Sequence, residues 1–188
     1  MDAYERFEEL GVAGDMKTLG FVYPFKRSNT YGKDILICTN SDRIPYIEEL
    51  VSALGDMHFH IAALTEMSSV LLSLDDNENV TLYPGIKNKK LDELFEKCDI
   101  YLDINRYDEI SDAVYKAFIH DHLIYAYEET IHRRDLIGKE HVFATKDQEK
   151  LIDEIRAVAG NEEAMREGLT AQKKWAMSEE ADRYRIFA

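Results

Sequence analysis

Five consecutive side chains, Asn105-Arg106-Tyr107-Asp108-Glu109, place an amide, a guanidinium, a phenol and two carboxylates within one short stretch. Donors and carboxylate acceptors set so close together could hold a polar ligand, which makes this the first place to look for a site. The same stretch also reads as a solvated loop that caps the helix after it. Thr39-Asn40-Ser41-Asp42-Arg43 is the second candidate. Free N–H groups at a helix start suit an anion, and Arg43 would add positive charge. Asp42 would compete with that anion, and the segment also reads as the cap of a structural helix. In the third, Leu64-Thr65-Glu66-Met67-Ser68, Glu66 could point into a cleft while Thr65 or Ser68 caps a helix. No Gly-x-Gly-x-x-Gly run is present, so a dinucleotide fingerprint is absent.

These stretches matter because of the elements that must carry them. Asp34 to Cys38 is a short continuous apolar run, as expected of a strand covered on both faces. A helix is expected from Arg43 to Leu54, with Ile44, Ile47, Leu50, Val51 and Leu54 on one face and Pro45 in its first turn. Strands follow at Met57–Leu64, Val80–Tyr83, Asp99–Ile104 and Leu123–Tyr127, with a short sixth at Glu140–Thr145. The intervening helices are expected near Ser68–Leu74, around Leu91, Leu94 and Phe95, at Ile110–Ile119 and at Asp147–Val158. Strands alternating with helices imply an α/β domain: a doubly wound, mainly parallel Rossmann-like sheet. In such a sheet ligands bind at the carboxyl ends of the strands, and all three candidate stretches lie there. The organisation reads as a lead-in segment over 1–32, a Rossmann-like domain over 33–160, and a terminal helix and tail over 161–188. The helical stretch Asn161–Met177, with Trp175, Tyr184, Ile186 and Phe187 near it, must dock somewhere, either over this domain or on another. The early aromatics Tyr4, Phe7, Phe21, Tyr23 and Phe25 could form an interface or cover this domain's own core.

The bulk numbers narrow the function classes. The 188 residues carry a net charge of -14, which disfavours nucleic acid and anionic lipid as direct partners. Any anionic ligand would need a local positive pocket. The two cysteines, Cys38 and Cys98, lie in or beside apolar strands and read as buried reduced thiols of an intracellular protein. No apolar run approaches the roughly 20 residues of a membrane span, and the start lacks a signal peptide's pattern. His58 and His60 share a strand face and His120 and His122 bracket a turn, but no converging ligand set supports a metal. No nucleophile with a paired base stands out, so no catalytic residue, metal or cofactor is expected. Arg133-Arg134, after Ile131-His132, reads as a loop or partner contact.

Four segments carry a resemblance: Leu19-Gly-Phe-Val-Tyr-Pro-Phe-Lys26, Ile37-Cys-Thr-Asn-Ser-Asp-Arg43, Phe59-His-Ile-Ala-Ala-Leu-Thr-Glu-Met-Ser68 and Cys98-Asp-Ile-Tyr-Leu-Asp-Ile-Asn105. Together they resemble the carboxyl-terminal half of the stabilising subunit of the accessory Sec system's peptide N-acetylglucosaminyltransferase, a family of Gram-positive bacteria such as streptococci. The resemblance covers most of residues 19 to 158; the combination is specific, each piece alone weak. It implies the carboxyl-terminal lobe of a two-lobed GT-B glycosyltransferase shape in a subunit regarded as non-catalytic. The implied partners are a catalytic glycosyltransferase subunit, in a complex with two copies of each, and a serine-rich repeat adhesin polypeptide as acceptor. The implied location is the cytoplasm, with the membrane's inner face reached only through the complex. An amino-terminal lobe ahead of residue 1 is implied as well, since GT-B substrates lie between lobes.

Catalytic members of the wider class carry a glutamate, seven residues and a second glutamate on the unit matching Tyr101–Tyr127. Superposition puts Asp108 at the first place and Lys116 at the second, or Glu109 and Ala117 if the register slips by one. A lysine has donors only and cannot accept ribose hydroxyl protons. The small residue usual before the fifth strand is replaced by Asp121. The resemblance therefore implies a degenerate donor site at Asn40, Ser41, Arg43, Glu66, Asn105, Arg106, Asp108, Glu109 and Lys116. The alternative is an active UDP-sugar-binding lobe of a retaining transferase, with Arg43 at the pyrophosphate and Asp108 or Glu109 near the sugar.

Overall fold

The structure, a computed structural model, describes residues 23–40 and 42–185, with side chains as far as residue 179. Six strands form one sheet: β1 (Asp34–Cys38), β2 (His58–Ala62), β3 (Val80–Tyr83), β4 (Ile100–Asp103), β5 (Leu123–Tyr127) and β6 (Val142–Phe143). Their order is β3-β2-β1-β4-β5-β6, and every pairing is parallel. The sequence pattern implied a mainly parallel sheet; the sheet is wholly so. The order reverses between β1 and β4, which places the switch point beside the loops that follow those strands.

Alternation along the strands sends side chains to two separate cores. Ile35, Ile37, Phe59, Ile61, Leu102, Tyr125 and Tyr127 face one way, toward α1 (Ile47–Ala53), α5 (Gln148–Val158) and the start of α6 (Glu162–Arg185). Leu36, Cys38, Tyr101, Ile124 and Ala126 face the other, against α3 (Asn88–Lys97) and α4 (Ala113–Ile119). Both faces are covered, so β1, β4 and β5 are buried along nearly their whole length and read as continuous apolar runs. Cys38 and Cys98 are free and buried, and burial pushes the Cys38 thiol up to about 12.

Three helices start or divide differently from the sequence pattern. The helix expected from Arg43 begins at Ile47, because Tyr46 turns through the left-handed region at φ 54 and Pro45 falls in the turn before it. Its N-cap residue is therefore Tyr46, whose side chain makes no capping bond, and not Asn40 or Asp42. The segment near Ser68–Leu74 divides into a single turn, α2 (Ser69–Leu72), and a 3₁₀ turn over Ser73–Asp76. Helix α4 starts at Ala113 rather than Ile110, after two left-handed residues, Ser111 (φ 50) and Asp112 (φ 54).

The terminal helix closes over this domain. Met165, Leu169, Gln172 and Ala176 of α6 are buried. Because β6 has only two residues, the start of β5 has a free edge; Gln172 covers it, accepting from the Ile124 N–H (2.9 Å) and donating to the His122 carbonyl (2.8 Å). Gly168 permits the close approach, since a Cβ there would sit 3.1 Å from Leu123 methyl carbons. Trp175 docks by donating its indole N–H to the Arg134 carbonyl at 3.0 Å. Tyr23 and Phe25 pack on Phe118 of α4 with ring centroids 4.8 and 5.5 Å away, so these two aromatics cover the domain's own core. Tyr4, Phe7, Phe21, Ile186 and Phe187 lie outside the described residues.

At the amino end of β4 the Asp99 carboxylate anchors the residues that lead into the sheet. It accepts from Arg27 (2.7 Å), the Thr30 N–H (2.8 Å) and the Gly32 N–H (2.9 Å). The Asp99 side chain is 1% exposed and Arg27's is 10%, so this is a buried ion pair with its remaining lone pairs satisfied. Asp99→Ala should leave a buried guanidinium without its partner and lower unfolding stability by about 3–5 kcal/mol in urea titrations. Lys33→Ala, which breaks the exposed Lys33–Asp56 pair, should have a far smaller effect.

Candidate functional site

At the carboxyl ends of β1 and β4, buried polar groups tie three loops together. Asp103, the last residue of β4, is 2% exposed. Its carboxylate receives the His132 backbone N–H at 2.8 Å and His132 Nδ1 at 2.6 Å. The other ring nitrogen, Nε2, lies 2.5 Å from the Tyr107 carbonyl. The Asp103 hydrogen bond, opposed by partial burial, raises the His132 pKa to about 9, so the ring is an imidazolium that donates from both nitrogens. Asn105 supplies the second tie. It is 3% exposed, accepts from the Thr39 hydroxyl at 3.2 Å and donates to the Tyr107 and Asp108 carbonyls.

The candidate residues are therefore divided. Asn105 faces inward and is consumed in holding the loop. Glu109 accepts from the Val114 N–H at 2.9 Å through one carboxylate oxygen, which ties it to the first turn of α4. Arg106, Tyr107 and Asp108 are exposed, as are Asn40, Arg43 and Glu66; Ser41 lies outside the described residues. Ser68 rather than Thr65 caps α2, receiving the Leu71 N–H at 3.4 Å. Lys116 pairs at 4.0 Å with Asp92 of α3, not with Asp108 or Glu109, and lies 6.0 Å from the Phe95 ring centroid. Asp121 adopts φ 57, a conformation that suits a small residue, and its carboxylate pairs with Lys173 at 2.5 Å.

Carboxylates crowd the amino end of α4: Glu109 occupies one N–H, and Asp108 and Asp112 stand nearby in the chain. The loop turns twice through the left-handed region without a glycine, so a Cβ stands at each turn. Among the described residues no group of three or more His, Cys, Asp or Glu side chains could hold a metal. His58 bonds Thr81, and His60 bonds Asp34 and Tyr83. Arg133 pairs with Asp135, and Arg134 donates to the Glu128 carbonyl.

The residues that sequence reasoning missed are Asp103 and His132. Asp103 carried a signal, because a carboxylate closing an all-apolar strand must find a partner. His132 lies twenty-nine positions away, and no spacing pattern marks the pair.

Comparisons with known proteins identify the family. Residues 35–172 match the family model described as the GftB/GlyA-F C-terminal domain. The chain belongs to that family. A relative from Streptococcus agalactiae, the "UDP-N-acetylglucosamine--peptide N-acetylglucosaminyltransferase stabilizing protein GtfB", is 44% identical over 167 residues, covering 89% of this chain and 37% of the relative. The protein of the same name from Streptococcus gordonii is 39% identical over 92% of this chain and 39% of its own. Among solved structures, a chain of the GtfA/B complex bound to UDP and GlcNAc superposes with a TM-score of 0.79 at 37% identity, covering 92% of this chain and 40% of that one. The chain thus spans well under half the length of these relatives, and its fold is that of a Rossmann-like lobe of the GT-B glycosyltransferases.

Two stability predictions follow from the loop. Ser111→Gly should raise stability by roughly 0.5–1 kcal/mol in urea titrations, since glycine relieves a left-handed φ at an exposed position. The His132 pKa is raised on folding, so its contribution is fully present below about pH 6.5 and is lost as pH rises through about 9. His132→Ala should therefore cost about 1.5–3 kcal/mol near pH 6, and the gap to wild type should shrink above pH 9.

Proposed function

We propose that this chain is the carboxyl-terminal lobe of a non-catalytic, glycosyltransferase-like subunit that stabilises a partner N-acetylglucosaminyltransferase. The observation that carries this reading is the state of the β4–α4 loop. Where a donor-binding lobe would carry its second carboxylate, Lys116 brings donors only, while one Glu109 oxygen is tied to α4 and Asn105 is engaged in holding the loop. The relatives named as stabilising proteins support the same reading. On this reading the parent protein joins a catalytic subunit, helps to hold a serine-rich repeat adhesin as acceptor, and works in the cytoplasm, meeting the membrane only through the complex. Among the described residues no helix is long and apolar enough to cross a membrane.

The alternative, an active UDP-sugar-binding lobe, needs Asp108 or Glu109 near the sugar and Arg43 at the pyrophosphate. Co-expression of the full parent protein with its candidate transferase separates the two. Solubility of the transferase and glycosylation of an adhesin fragment should both depend on the parent protein, and both should be little changed by Asp108→Ala or Lys116→Ala. A donor-binding lobe would instead lose about 100-fold or more in transfer on losing a residue that contacts the sugar nucleotide. Transfer by the parent protein without the partner would overturn the proposal.

A further inference from the structure

We propose that His132 is a positioning residue whose charged ring fixes the 105–112 loop against the end of β4, so that Arg106 and Tyr107 stand outward on the rim of the lobe. The inference stands apart from the stabilising reading and names the group that sets the shape of this carboxyl edge.

The geometry is specific. Asp103 is buried at the end of the fourth strand and grips both the backbone and Nδ1 of His132. That grip aims Nε2 at the Tyr107 carbonyl across the intervening space. Asn105 donates to the same carbonyl and to the next one, and is itself tied to Thr39 after β1. Tyr107 is thus held by its carbonyl while its side chain remains 51% exposed. The arrangement requires protons on both ring nitrogens, because each faces an oxygen acceptor at 2.5–2.6 Å. A neutral imidazole has one N–H and would set a lone pair against either the carboxylate or the carbonyl.

The groups facing the ring agree on the charged form. Asp103 from β4, the Tyr107 carbonyl and Glu109 from the loop all favour it, against the opposing effect of burial. The adjacent cation, Arg133, is engaged by Asp135 at 2.8 Å. Glu109 connects the loop to helix α4 through the Val114 N–H, and the Ala113 N–H donates to the Ile110 carbonyl at 2.9 Å. Loosening of the loop should therefore register at the first amides of that helix.

The test uses the whole chain, labelled for NMR, with imidazole shifts and amide-exchange protection followed from about pH 7 to about pH 10. His132 should titrate near 9, and protection at Ala113 and Val114 should fall at least tenfold across the same midpoint. His132→Ala should show the low protection at every pH. His132→Gln, which keeps one donor without a titrating charge, should restore part of it with no midpoint. Asp103→Asn should move the His132 titration down toward its ordinary range. The proposal is overturned if His132 titrates near 6.5, or if protection in His132→Ala equals that of the wild type at pH 7. If a variant fails to fold by circular dichroism, the wild-type titration and its coincidence with the exchange midpoint decide the matter. Sugar-nucleotide binding would sink the stabilising reading and leave this titration untouched, so the two failures are distinct.

Discussion

A carboxylate at the end of a strand covered on both faces has no water to meet, and its charge must be answered by the protein. The fourth strand carries such a group at each end. Asp99 at its amino end gathers Arg27, Thr30 and Gly32, which fixes how the chain enters the sheet. Asp103 at its carboxyl end gathers His132, which fixes how the loops leave it. The central strand thus organises both edges of the lobe through two buried anions, while the apolar cores on its faces supply most of the cohesion.

This arrangement bears on the switch point of a glycosyltransferase-like lobe, where a ligand would be expected to sit. In a doubly wound sheet the switch point is a gap between loops, and a ligand supplies what the gap lacks. Here the gap after β1 and β4 is bridged internally by Thr39, Asn105 and His132. Asp103, Asn105 and His132 already bond within this edge, while Arg106, Tyr107 and Asp108 stand exposed beside it. The fold that carries this edge is that of the GftB/GlyA-F C-terminal domain family.

Much of the scaffold was legible in the residues. Runs such as Asp34–Cys38 and Leu123–Tyr127 mark buried parallel strands to the residue, because two-sided burial leaves no polar alternation to blur their ends. Helix starts were less legible. Arg43-Ile44-Pro45-Tyr46 has an acceptable helical pattern, yet the left-handed Tyr46 delays the helix to Ile47, and no local propensity announces a strained tyrosine. Of the candidate site, Lys116 and the small-residue slot at Asp121 could be read from the order of types along one unit. The inward roles of Asn105 and Glu109 could not, since each depends on which backbone groups the fold leaves unpaired. The Asp103–His132 pair was hidden because the connection between β4 and the loop after β5 exists only in three dimensions.

The central claim, that the carboxyl edge is a self-satisfied surface and not a nucleotide seat, is tested most directly by titrating the isotope-labelled chain with UDP-N-acetylglucosamine and following backbone amides by NMR. The account predicts no saturable shift between Asn105 and Lys116 up to about 1 mM ligand, a limit corresponding to roughly 4 kcal/mol of binding. Saturable shifts confined to that segment at lower concentrations would contradict it.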